Sequence, residues 1–387
     1  MVNPAQMKSI WDRANPQLRD LKVYEPGKPI EETAGELNVD PDDIIKLASN
    51  ENPLGPSPKA VAAMRAGLDR AHVYPDGGAF CLRNALGEKL GLARENIILG
   101  NGSNEVIEFL GHAFLTPGDE AVISQYAFIA YQIITMLFGA RPVEAPAHNF
   151  GHDLGAMLNA IGPKTRLIFI ANPNNPTGTL LDQHQIDSFM ARLPENIITV
   201  FDEAYFEFLD HPPDTLRYVR EGRNIVVLRT FSKIHGLASL RVGYGIAPRQ
   251  LIEVLQKTRQ PFNVNGLAQI GALAALDDQA HLRETRRTVD AGRDFLQDQF
   301  AKMQLPFIPS SGNFVMVNVG DGPAIFRKLL AEKVIVRPLQ GYGLSEWLRI
   351  TIGTNEQNDK CIAALKMCLD NNRDRLRHDR RHFHASG

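Results

Sequence analysis

Five short apolar runs rich in β-branched residues, set between longer amphipathic stretches, constrain the fold of this chain more than any other feature. The runs are Asn96 to Leu99, Glu120 to Ser124, Arg166 to Ala171, Ile197 to Asp202 and Ile225 to Thr230. Between them lie helical patterns such as Glu105 to Phe114 and Gln183 to Leu193, and each strand-to-helix turn is polar or rich in Gly and Pro. This alternation is that of βα units around a mostly parallel sheet, so it predicts an α/β fold. From about Asn263 the pattern changes to long helical stretches through Gln304. Short strands then follow at Asn313 to Val319, Val334 to Val336 and Leu348 to Ile352, around a helix near Ala324 to Lys333. That part is expected to form a smaller α+β domain.

A chain of 387 residues is long enough for two or more domains. The expected division is an N-terminal arm over 1–50 that packs on the small domain or on a partner subunit, a large domain over 51–262, a small domain over 263–372 and a basic flexible tail over 373–387. Hydrophobic residues at 44% and charged residues at 22% exclude disorder as the main state. The 42 Lys and Arg against 44 Asp and Glu leave a net charge of −2, so no global field draws in nucleic acid or an anionic membrane. Cys81, Cys361 and Cys368 have neither metal-site spacing nor the density of a disulfide scaffold. No metal is expected, and the compartment is expected to be reducing and cytoplasmic. The N-terminus is polar where a signal peptide needs an apolar stretch. Ala121 to Ala140 lacks charge over about a membrane's thickness, but its polar residues favour a buried strand and helix.

Four short segments concentrate the chemistry. In the first, Lys233 follows the apolar strand that ends near Leu228, with Ser232 beside it and Arg241 eight positions on. A lysine there is either a surface residue or one whose charge is consumed in a Schiff base, with serine and arginine as phosphate donors. In the second, Asp202 ends a strand and Tyr205 follows three residues later. Ligands bind at the carboxyl ends of strands in open α/β sheets, so Asp202 either caps a helix or pairs a pyridinium nitrogen, with Tyr205 donating to the ring's phenolic oxygen. The third, Asn172-Pro-Asn-Asn175-Pro-Thr-Gly178, fixes a tight turn and also offers Asn175 to that oxygen. The fourth, Gly100-Asn-Gly102-Ser103-Asn104-Glu105, is a glycine turn before a helix, whose free N–H groups hold phosphate. One ligand needs all four in this topology, pyridoxal 5′-phosphate.

With those residues in place, the chain resembles the fold type I, class I/II pyridoxal-phosphate aminotransferases, and within them the histidinol-phosphate aminotransferases. The resemblance runs from Lys46-Leu-Ala-Ser-Asn-Glu-Asn-Pro-Leu-Gly55 to Leu348-Arg-Ile-Thr-Ile-Gly353, nearly the whole chain. It implies that Lys233 forms the internal aldimine and moves the proton from substrate Cα to cofactor C4′. Asp202 then pairs with the pyridine nitrogen, Tyr205 and Asn175 hydrogen-bond O3′, and Ser103, Asn104, Ser232 and Arg241 hold the phosphate. Phe128, in Tyr126-Ala-Phe-Ile-Ala-Tyr131, matches the aromatic that stacks on the ring, with a place in the core as the alternative. Tyr74 matches a tyrosine that reaches the neighbouring subunit's cofactor, which implies a homodimer with shared sites. Arg337 and Arg349, with Tyr24 and Asn313, are expected to bind substrate. The implied reaction exchanges an amino group between histidinol phosphate and 2-oxoglutarate, with glutamate as the second product. An aromatic amino-acid aminotransferase is the alternative, because the same arginine takes an α-carboxylate and the same pocket a ring. A phosphothreonine-type decarboxylase and a non-catalytic cofactor-binding regulator are more distant readings.

Overall fold

In the computed structural model, residues 9–21, 23 and 27–383 are described, with side chains to residue 370. The centre is a seven-stranded sheet in the order Ile97–Gly100, Gly243–Ile246, Ile225–Thr230, Ile198–Asp202, Thr165–Ala171, Glu120–Ser124, Arg141–Ala145. Every neighbouring pair is parallel except the two made by Gly243–Ile246, which runs antiparallel to both its partners. The strand runs are continuously apolar because both faces are covered. Ile168 and Ile170 enter the core on one face, and Leu167 and Phe169 the core on the other.

Two strands of this sheet lie outside the five apolar runs. Gly243–Ile246 was not anticipated, because two glycines in four residues give little strand signal. Arg141–Ala145, with two charges and a proline, is an edge strand, the position at which a sheet tolerates proline. The uncharged stretch from Ala121 to Ala140 divides into the buried strand Glu120–Ser124 and the helix Ile129–Leu137. No helix among the described residues is long and apolar enough to cross a membrane.

A second, four-stranded antiparallel sheet runs Phe307–Ile308, Phe314–Asn318, Leu344–Thr351, Arg337–Leu339. The helices Gln279–Lys302, Gly322–Ala331 and Asn355–Phe383 pack on it through Val289, Leu296, Phe300, Ile325 and Leu365. Tyr205, Phe208 and Ile234 from the large sheet's loops join this core, so the segments that carry Tyr205 and Lys233 lie where the two sheets meet. Residues 45–46 of the N-terminal arm pair in parallel with Val334–Ile335, the strand expected at Val334 to Val336. The chain then runs beside Leu344–Thr351, where the Asn50 N–H donates to Thr351 Oγ1 at 2.9 Å. The helix Asn355–Phe383 continues through much of the segment expected as a flexible tail from 373. Its Arg and Leu residues favour helix, and no Gly or Pro interrupts them.

Candidate active site

A cavity of about 260 Å³ opens at the carboxyl ends of Thr165–Ala171, Ile198–Asp202 and Ile225–Thr230, closed on its far side by the four-stranded sheet. Asp202 is the last residue of its strand, in register with Ala171 and Leu228 on either side. It is buried, and the two oxygens of its carboxylate each accept one hydrogen bond. Tyr131 donates its hydroxyl to Oδ2 at 2.7 Å, and the Ala204 N–H donates to Oδ1 at 3.2 Å. Burial pushes the Asp202 carboxyl up to about 6, against the pull of these two donors.

Lys233 stands three residues beyond Thr230 and donates from Nζ to Ser49 O at 3.2 Å. Burial, then the positive charges of Arg349 and Arg241, push its ammonium down to about 8. Tyr205 lies below, with its ring centroid 5.7 Å from Lys233 Nζ, and its hydroxyl accepts from Asn50 Nδ2 at 2.8 Å. Burial holds that phenol up at about 12.

An anion cradle lies on the other side of the cavity. The helix Ser103–Phe114 begins there with no side chain capping it, so its first N–H groups remain for a ligand. Gly102 precedes it at φ +71°, and a Cβ there would come within 2.5 Å of Arg241 Nη2, so only glycine leaves this concavity open. Arg241 donates from Nη1 to Ser232 Oγ at 3.3 Å and lines the cavity with Ser103 and Asn104. Cradle, acid and lysine thus surround one volume, and this donor set fits a phosphorylated pyridine aldehyde.

Farther out, Arg337 and Arg349 are directly opposed on neighbouring strands, and both line the cavity. Arg349 donates from Nη1 to Asn175 Oδ1 at 2.5 Å and from Nη2 to Ala48 O at 2.7 Å. Two like charges set opposite each other on a sheet repel, and an anion placed between them relieves that repulsion.

Eleven of the expected site residues line this one cavity: Ser103, Asn104, Phe128, Asn175, Asp202, Tyr205, Ser232, Lys233, Arg241, Arg337 and Arg349. Asn313 does not reach its surface. It is fully buried behind the wall and donates from Nδ2 to Asn50 O at 2.9 Å, so it supports the arm segment that carries Asn50. Tyr74 lies at the surface, 80% exposed and stacked on Phe262 at 4.9 Å between ring centroids. Tyr24 falls outside the described residues.

Sequence reasoning missed Tyr131, whose place three residues after Phe128 on one helical face was its only signal. It also missed Ser49 and Asn50, which reach the cavity because the arm lies along the second sheet. The buried Glu203–Arg229 pair, 2.8 Å apart with Arg229 3.5 Å above the Phe206 ring, fixes the turn between Asp202 and Tyr205 from behind. Among the described residues no group of three or more His, Cys, Asp or Glu is placed to hold a metal ion.

Fold and site together define a class. Residues 42–365 match the family model for aminotransferase class I and II, and the chain belongs to that family. Among its relatives, the histidinol-phosphate aminotransferase of Akkermansia muciniphila is 53% identical over 93% of this chain and all of its own length. The Moorella thermoacetica protein of the same name is 48% identical over 91% of this chain and 92% of its own. The crystal structure of histidinol-phosphate aminotransferase from Sinorhizobium meliloti in complex with pyridoxal-5′-phosphate superposes with a TM-score of 0.84 at 27% identity, covering 93% of this chain and 98% of that one.

Proposed function

We propose that this chain exchanges an amino group between L-histidinol phosphate and 2-oxoglutarate, with pyridoxal 5′-phosphate as cofactor. The cofactor supplies an electron sink for the pair left at the substrate's Cα. The observation that carries this reading is the register of Arg337 opposite Arg349, two cations facing the cavity that holds Lys233. Histidinol phosphate has no carboxylate, so its phosphate is the group such a pair grips, and the second substrate offers a carboxylate to the same place.

Within this reading Lys233 Nζ, once unprotonated, accepts the proton from the substrate Cα. Asp202 pairs with the ring nitrogen and keeps it protonated, oriented for that task by Tyr131 and the Ala204 N–H. Tyr205 and Asn175 hydrogen-bond the ring oxygen. Because Asn175 also accepts from Arg349, the ring and the distal anion are tied through one side chain. Phe128 stacks on the ring, and Ser103, Asn104, Ser232 and Arg241 hold the cofactor's phosphate. Tyr24 and Asn313 are assigned to substrate binding, Asn313 through the Asn50 segment it supports.

The exposed Tyr74–Phe262 stack supports a homodimer in which each chain lends Tyr74 to its partner's site. Free thiols at Cys81, Cys361 and Cys368 suit a cytoplasmic enzyme.

The test is kcat/KM for histidinol phosphate, phenylalanine and aspartate, each with 2-oxoglutarate. Histidinol phosphate is expected to lead, and Arg349→Ala to lower its kcat/KM by about 10- to 150-fold, the worth of one charge-assisted contact. Unphosphorylated histidinol is expected to be poor in both proteins and little changed. A parent enzyme that prefers phenylalanine and leaves histidinol phosphate untouched overturns this reading for the aromatic aminotransferase.

A further inference from the structure

The turn that joins the two arginine-bearing strands brings a third donor to the cavity. Tyr342 ends the 3-10 turn Gln340–Tyr342 between Arg337–Leu339 and Leu344–Thr351, and Gly343 completes the reversal at φ +74°. The Tyr342 ring is partly buried on an apolar cluster of Met316, Leu339, Leu344 and Trp347, which Tyr126 and Phe150 join from loops of the large sheet. Phe150 and Trp347 meet at 5.1 Å between ring centroids, so the ring lies on a platform built from both sheets. Tyr342 lines the cavity, and its phenol is within electrostatic reach of those of Tyr131 and Tyr205.

One hairpin therefore presents two guanidinium groups and one neutral hydroxyl to the same space. A carboxylate has two oxygens in one plane, and a single guanidinium fork satisfies both. A phosphate monoester has three terminal oxygens in a tetrahedral array, so paired arginines leave acceptor capacity out of their plane. A phenol donates there without adding charge. A carboxylate held by one fork keeps two further acceptor sites, but both lie in its own plane, so a donor placed out of that plane serves the phosphate better.

We infer that Tyr342 is a specificity-determining residue whose hydroxyl donates to the phosphate of the amino donor, favouring the phosphate-bearing substrate over the carboxylate-bearing one. This assignment rests on the function proposed above. It is tested in the holoenzyme with Tyr342→Phe, measuring each half-reaction separately by single turnover. The half-reaction with histidinol phosphate is expected to lose about 10- to 150-fold in kcat/KM, as for one hydrogen bond to a charged acceptor, while that with glutamate stays within about twofold. Tyr342→Phe is expected to keep the parent's thermal midpoint, because the ring remains on its platform. Tyr342→Ala is expected to lower that midpoint and to show the same change in substrate ratio. Equal losses in the two half-reactions, or none in either, overturn the role of Tyr342 while the parent's turnover of histidinol phosphate leaves the transaminase reading standing. A parent that does not use histidinol phosphate overturns both.

Discussion

Asp202 is held before any ligand arrives: one carboxylate oxygen takes the Tyr131 hydroxyl in a buried contact, the other the Ala204 N–H in a partly buried one. A pyridinium brought against this acid finds its partner already oriented, and the new positive charge lowers the acid's pKa from its raised value. Asp202→Ala is expected to retain the fold and to lose at least about 100-fold in single-turnover rate, with a smaller effect on substrate binding, because the lost interaction belongs to the transition state. Deamination at the parent's rate would reassign Asp202 to capping the turn that follows. Lys233 is tuned by the opposite route, since burial and two neighbouring arginines disfavour its charged form. Only the neutral amine attacks an aldehyde, so capture of pyridoxal phosphate by the apoprotein is expected to accelerate about tenfold per pH unit below about 8 and to level off above it. Arg349→Ala removes a like charge and is expected to move that plateau to higher pH. A stopped-flow profile that breaks near 10.5, the ordinary lysine value, would contradict this account of the site's electrostatics.

At the scale of elements, the strands and the turns after them carry the site. The strands Glu120–Ser124 and Ile225–Thr230 are legible to the residue, because a sheet covered on both faces writes itself as an unbroken β-branched run. Gly243–Ile246 is not, since its glycines are there for close approach: a side chain at Gly243 would press into the backbone of Gly102 and Ser103, where the anion cradle begins. The site was legible where local sequence carries the chemistry, at Asp202, Lys233 and the Gly100 to Glu105 turn. It was not where distant segments meet, as when Tyr131 finds Asp202 or Asn313 finds Asn50. A stability effect arises from the short strand Gly151–His152, beside the carboxyl end of Thr165–Ala171. His152 is buried, with Nε2 2.9 Å from Ala171 O, and burial lowers its pKa from 6.5 to about 4. His235, buried two residues beyond Lys233, is lowered likewise to about 3. The unfolded chain binds protons at these histidines below about 6.5 and the folded chain does not, so stability falls as pH falls through that window. The thermal midpoint is expected to drop between pH 6.5 and 5, by less than the two histidines alone would give, because Asp202, raised to about 6, takes up a proton in the same window with the opposite sign, and His152→Gln is expected to flatten the drop while keeping a donor to Ala171. A midpoint that rises on acidification over the same window would reverse the sign of the argument.

For the whole molecule, the cavity exists because two sheets of different kinds face one another. The parallel sheet brings the acid, the lysine and the anion cradle to its strand ends, the antiparallel sheet brings two opposed arginines, and the N-terminal arm fills the seam with Ser49 and Asn50. Tyr205 and Ile234 belong to the second sheet's core although their strands belong to the first, so neither sheet forms the site alone. In solution the chain is expected to sediment as a dimer, and Tyr74→Ala to weaken retention of the cofactor more than it weakens the dimer. The most direct test of the central claim is a titration of the holoenzyme with histidinol phosphate in the absence of any oxo acid, followed by 2-oxoglutarate, read from the cofactor's absorbance. The expected result is the conversion of one equivalent per site to the amino form, complete reversal by one equivalent of 2-oxoglutarate, and release of glutamate. An absorbance that histidinol phosphate leaves unchanged, in a holoenzyme that phenylalanine converts in full, would contradict the account.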